Sequence, residues 1–316
     1  MDLRRAAIGA LLLASSGGCS REPGRPVVGV VPKGVTHEFW KAMRLGAEKA
    51  GREFGCAIHW VGPSDETKVT EQLQIVEDLL SSGVKGLVLA PIHRIQCRKA
   101  AEDARAKAVP LVVVDSGLDA EGVLSFAATD NRLGGVLAAE EMGRRLGGKG
   151  KVAVLLCKAG SASTEEREAG FRETIASKFP GIGIVDEQFG QSVRETSVQV
   201  GRDLLSKHPD LDGFFGSNES SAYGVMVSVR NAGRAGKIVA IGFDTAEELL
   251  EGLTEGTLQA LVVQNPFRMG YEGVAAVMRN LRGETVPARI DTGVTLVTKE
   301  RLGQPEVEAL LHPGKG

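Results

Sequence analysis

The residues with chemistry to offer recur in one kind of place, directly after short apolar runs. Lys33 follows VVGVV and a proline, and Pro91, Ile92 and His93 follow GLVLA. Asp115 and Ser116 follow LVVV, and Asp130 and Asn131 follow SFAAT. Asn218 and Glu219 follow GFFGS, Asp244 follows VAIGF, and Gln264 and Asn265 follow LVV. A carboxylate accepts from two neighbouring hydroxyls at once, and an amide offers both a donor and an acceptor. Two or three carboxylates without a metal-like cluster suit a neutral, polyhydroxylated ligand. Taken singly, each residue serves as well to cap a following helix or brace a loop. As a set they converge on one cleft if the runs are strands of parallel sheets, whose ligands bind at the carboxyl ends.

A second feature is THEFWKAMRLGAE, residues 36–48, where His37 and the adjacent Phe39 and Trp40 open an amphipathic helix. The two rings are either core or a platform for a ligand. A sugar has an apolar C–H face that an aromatic ring can cover while Asp and Asn read the hydroxyls. At least one of the pair is expected to face the cleft.

The elements that must position these groups follow from the periodicity. From Arg25 onward, apolar runs such as VVGVV, GLVLA and LVVV alternate with helical patterns such as EFWKAMRLGAEKAGREFG. The alternation breaks near residue 130, then restarts with GKVAVLLCK. Sustained β-α alternation implies parallel sheets with helices on both faces. Near-continuous Val/Ile/Leu runs are those of strands buried on both sides. There are too many for one comfortable sheet, so the fold class is α/β with two doubly wound, parallel-sheet lobes.

The chain has 316 residues, 42% hydrophobic and 25% charged, with net charge −2. That balance gives no bulk attraction to nucleic acid or an acidic membrane. MDLRRAAIGALLLASSGGCS has the basic start, apolar run and small residues of a secretory signal peptide. Ser16-Gly17-Gly18-Cys19 has the form of a lipoprotein cleavage box, with Cys19 the lipidated residue and residues 20–25 a tether. The alternative is plain secretion with cleavage nearby. Of the other cysteines, Cys56 and Cys97 are able to pair in an oxidising compartment, or all three with Cys157 are buried thiols. No spacing suggests a metal site or a cofactor. GRRLGGKG, residues 143–150, misses the last residue of a phosphate-binding loop and lies between helix and strand. With no G-x-S-x-G elbow and no H-E-x-x-H, the chain does not read as an enzyme.

The pieces VTHEFW, VVVDSG, ATDNRLGG, GSASTEEREAGF, GFFGSNESSAYG, AIGFDT and LVVQNPFRMGY, in this order, resemble bacterial periplasmic sugar-binding proteins of the ribose/galactose type over about 26–300. The resemblance implies a type I periplasmic binding protein fold with a ligand cleft between two lobes. Three crossovers near 129–131, 262–266 and 290–294 would join a lobe of 26–129 plus 265–291 to one of 130–264 plus 292–316. It implies a ligand set of His37, Phe39, Trp40, Asp130, Asn218, Asp244 and Gln264. Three positions depart from the ribose pattern: Ala90 replaces an Asn, Ser116 an Arg, and Glu165 a binding Arg, with Arg167 nearby. Losing fixed multi-donor forks changes which hydroxyls are read, and Lys33 is expected to replace part of that donor set. The pairing of Pro32-Lys33 with Asp115-Ser116 also resembles autoinducer-2-type members of the superfamily. The implied function is the extracytoplasmic, periplasmic binding component of an ABC importer. It would work as a monomer, held at the membrane by its lipid and serving a permease. A sensory binder of the same fold is the alternative, and an enzyme or a transcription regulator a distant one.

Overall fold

A computed structural model describes residues 24–313. The expected signal segment, Cys19 and most of the tether lie outside the described residues. Two six-stranded sheets organise the chain. The first contains β1 (Val27–Val31), β2 (Ala57–Trp60), β3 (Gly86–Leu89), β4 (Leu111–Val114), β5 (Val123–Ala128) and β11 (Arg289–Asp291), in the order β11-β5-β4-β3-β1-β2. The second contains β6 (Lys149–Leu156), β7 (Gly181–Phe189), β8 (Gly213–Gly216), β9 (Val239–Phe243), β10 (Ala260–Gln264) and β12 (Val294–Val297), in the order β12-β10-β9-β8-β6-β7. The orders correspond strand for strand. The chain passes between the sheets after β5, after β10 and after β11.

Position in the sheet explains the composition of each strand. β3, β4, β8 and β10 are buried at every residue, whereas the edge strands β2 and β7 mix exposed with covered positions. Helices α1 (Glu38–Phe54), α2 (Val69–Ser82), α3 (Arg98–Ala106) and α9 (Pro266–Leu281) flank the first sheet, and α4 (Asn131–Leu146), α5 (Ala162–Lys178), α6 (Arg194–Lys207), α7 (Glu219–Asn231) and α8 (Glu247–Glu255) the second. Several end at a left-handed glycine, as Gly55 does after α1.

One close crossing in each lobe depends on glycine. α1 meets α9 through Gly46 and Gly270, where an added Cβ would drive into the carbonyls of Phe267 and Met43. α4 meets α5 through Gly135 and Gly170, against the carbonyls of Arg167 and Arg132.

The fold departs from the sequence expectation in two respects and decides one alternative that the sequence left open. β12 runs antiparallel to β10, so the second sheet is mixed. β11, β12 and α10 (Pro305–Leu311) are short elements with few buried residues, and periodicity does not announce them. Finally, Cys56, Cys97 and Cys157 are all free and buried. Cys56 packs among residues of α1 and α9, while Cys97 Sγ lies 3.4 Å from Gln72 Oε1 on α2. The three-thiol reading therefore holds.

Candidate ligand-binding site

The carboxyl ends of both sheets face one another, and the seam holds a small cavity of about 30 Å³. Lys33, His37, Phe39, Trp40, Glu66, Asp115, Ser163, Thr164, Arg167, Asn218, Glu219, Asp244 and Gln264 line it. A wider groove of about 830 Å³ outside shares His37 and Glu219 as part of its wall.

Lys33, two residues beyond β1, is 4% exposed. Its ammonium lies 2.7 Å from Asp115 Oδ2 and donates to Ser161 Oγ and Ser163 Oγ, each at 3.2 Å, at the start of α5. One buried cation thus ties the two halves together. The contact with Asp115 is a buried ion pair. Ser116 Oγ accepts from the Ser163 backbone N–H at 3.0 Å. It closes the seam instead of lining the cavity.

Asp244 follows β9 and accepts from Gln264 Nε2 at 2.7 Å, with Arg167 Nη1 at 3.8 Å. Burial raises the Asp244 pKa against the opposing charge of Arg167 and the Gln264 hydrogen bond. Arg167 is 2% exposed, donates to Asn131 Oδ1 (2.9 Å) and the Ser217 carbonyl (3.0 Å), and stacks 3.8 Å over the Phe243 ring. Asn218 caps α7, its Oδ1 accepting from the Ser221 N–H at 3.1 Å. Phe39 and Trp40 meet edge to face, with ring centroids 4.8 Å apart. Both line the cavity while also joining the core beneath α1.

His37 stands 3.3 Å from Glu66 Oε1 and 3.8 Å from Glu219 Oε2. Burial works to lower its pKa, but the hydrogen bond and charge of Glu66, with Glu219 and Asp244, raise it to about 9. For Glu66, burial works upward, and His37, Lys33 and Ser192 overcome it, bringing the carboxyl down to about 2. Glu219, 1% exposed, pairs with Arg194 Nη2 at 2.5 Å through its other oxygen.

Besides Ser116, two expected positions lie outside the cavity lining. Asp130 is exposed and caps α4, accepting from the Leu133 N–H at 2.9 Å; its neighbour Asn131 is the one that reaches Arg167. Glu165 is more than a third exposed, accepts from the Gly160 N–H at 2.7 Å and faces Arg94 at 3.5 Å. Helical periodicity turns Arg167 inward instead, so a buried guanidinium lines the cavity two residues on from where the motif placed it. Glu66, Ser163 and Thr164 were not among the expected residues, and Glu219 was expected only as part of the strand-end set. Glu66 lies in the loop after β2, and the sequence reading passed over the carboxyl end of that strand as it did those of β6 and β7.

The pattern of the periplasmic binding protein domain matches residues 28–285. This chain belongs to the periplasmic binding protein family. As a periplasmic binding protein it is 28% identical over 288 residues to the D-ribose/D-allose-binding protein of Pseudomonas aeruginosa, covering 87% of this chain and 90% of that one. Its fold matches an ABC transporter solute binding protein of Agrobacterium vitis with bound D-fucose at TM-score 0.88 and 36% identity, over 90% of this chain and 100% of that one. A carbohydrate transporter solute binding protein of Agrobacterium radiobacter in complex with D-arabinose matches at TM-score 0.88 and 32% identity, over 91% and 99%. The two α/β lobes of this periplasmic binding protein have the type I arrangement.

Proposed function

We propose that this chain is the extracytoplasmic binding component of an ABC importer. It captures a small, neutral, monosaccharide-like ligand by lobe closure and delivers it to a permease. One observation carries the ligand class: Glu219 Oε2 and Gln264 Oε1 are buried acceptors without a hydrogen-bond donor. An unpaired buried acceptor costs about 1–3 kcal/mol, and ligand hydroxyls offset that cost by donating. Glu66, Asp115, Glu219 and Asp244 are nearly balanced by Lys33, His37 and Arg167, which favours a neutral ligand over an acid or an amine. The sugars bound to the Agrobacterium proteins support the same class.

The lobes are 26–129 plus 265–291 and 130–264 plus 292–316, with Gln264 at a crossover. A ligand touching both completes its contacts only in the closed state and so shifts the population toward it. Cys19 carries the lipid that keeps the protein at the membrane, and it acts as a monomer. One second reading is a sensory binder of the same fold for a sugar or an autoinducer-2-like signal, the latter on the pairing of Pro32-Lys33 with Asp115-Ser116, which meet in the Lys33–Asp115 ion pair.

A thermal-shift screen of pentoses, hexoses, polyols, inositols and autoinducer-2, with calorimetry on any hit, tests both. A ligand at a thousandfold excess over Kd stabilises by about 4 kcal/mol. A flat response to every sugar and polyol overturns the carbohydrate reading, a response to autoinducer-2 alone moves the ligand to that class, and whether the loaded protein binds a permease or a sensor kinase separates import from sensing.

A further inference from the structure

Glu66 belongs to none of the motifs that carry the family resemblance, yet it is only 9% exposed and sits at the seam. Within its own lobe its carboxylate accepts from Trp40 Nε1 at 3.0 Å and faces His37. From the other lobe, Ser192 Oγ donates to its second oxygen at 2.9 Å, and Lys158 Nζ donates to its backbone carbonyl at 2.9 Å. Ser192 Oγ in turn accepts from Asn218 Nδ2 at 3.1 Å. The path from Asn218 through Ser192 to Glu66 and on to Trp40 is unbroken, and His37 flanks it. Its two end residues and His37 all line the cavity. The loop that delivers Ser192 is held in an uncommon backbone, Gln191 at φ 60° and Ser192 at φ 56°. Residues other than glycine persist there when their surroundings fix them.

We propose that Glu66 is a positioning residue for ligand capture, tying His37 and Trp40 of one lobe to Asn218 of the other so that closure sets both halves of the site together. This rests on the cavity being the ligand site. Parting the lobes breaks the Ser192 and Lys158 contacts and leaves only the own-lobe partners, so the cross-seam contacts favour the closed state alone. Glu66 bridges His37 to the Ser192 loop, and Glu219 of the same lobe as Ser192 faces the imidazole from farther off, at 3.8 Å.

The test is small-angle X-ray scattering of the mature chain, without ligand and with the best sugar from the panel, alongside calorimetry. The proteins are wild type, Glu66→Gln, Ser192→Ala and the double variant. The expected result without sugar is a partly closed population in the wild type and a more expanded one in each single variant. Sugar affinity falls about tenfold in each, and the double variant is no weaker than Glu66→Gln, because both changes cut one path. A wild type as expanded as its variants overturns the proposal. So do unchanged affinities, or strictly additive losses in the double variant. A merely structural role would lower the melting temperature and leave affinity unmoved. Should no sugar bind the wild type, the carbohydrate reading fails while the scattering still decides the role of Glu66.

Discussion

Asp115 and Asp244 end equivalent strands, β4 and β9, and both hold left-handed backbone, at φ 61° and 69°. An L-residue with a Cβ pays roughly 1–2 kcal/mol there, a strain kept where a side chain must be aimed. Removing the Asp244 carboxylate should lower sugar affinity about 100-fold, since hydrogen bonds to a charged group contribute about 1.5–3 kcal/mol. Calorimetry should find that loss in both Asp244→Ala and Asp244→Gly, while the glycine variant melts higher because it relieves the backbone. The His37–Glu66 pair sets a pH dependence. His37 is raised to about 9, so its contribution to stability is complete below the unfolded value near 6.5 and lost as pH climbs through 9. Glu66 is lowered to about 2, so its contribution is complete above about 4.5 and lost as pH falls through 2. Melting temperature against pH should decline from 6.5 to 9 in the wild type, and His37→Gln should remove that part of the slope. At this scale the sequence was legible where a residue ends a strand, as Asp115, Asn218, Asp244 and Gln264 do. It misled at Asp130 and Glu165, where the inward-facing group lies one or two residues away and only the helical phase chooses between them.

Among the elements, the two glycine-mediated crossings are the tightest constraints. With no space for a Cβ between α1 and α9, Gly270→Val should destabilise by about 3 kcal/mol or more. At roughly 2–4 °C per kcal/mol, differential scanning calorimetry should see a fall of about 6–12 °C. An unchanged melting temperature would mean the helices separate freely. The interior strands were readable from composition because burial on both faces admits little but Val, Ile, Leu and Phe. β11, with only Ile290 partly covered between exposed Arg289 and Asp291, carries no such signature. Its pairing with β5 is set by where the chain must go after α9.

At the scale of the molecule, the seam is polar, and the interlobe bonds of Lys33, Lys158 and Ser192 must break together for the cleft to open. The two cores on either side are separate apolar clusters, so opening exposes little apolar surface and leaves each lobe intact. A fragment of residues 26–129 should nevertheless fail to fold by near-ultraviolet circular dichroism, because it lacks α9 and β11. A native spectrum from that fragment would show that the first lobe closes its core unaided.

The return of α9 to the first sheet has a consequence for the order in which the protein is made. Arg282 donates to the carbonyl of Phe54 across 228 residues of chain, and the Gly46–Gly270 crossing spans nearly as many. The half of the molecule that is synthesised first is completed by the part that is synthesised nearly last. Until residue 291 has emerged, the nascent chain lacks the helix that covers α1 and the strand that closes β5. Such long-range closure is slow. If it is exported as proposed, a polypeptide of this design would stay threadable through a secretion channel for most of its synthesis and would acquire its resistance to unfolding on the far side.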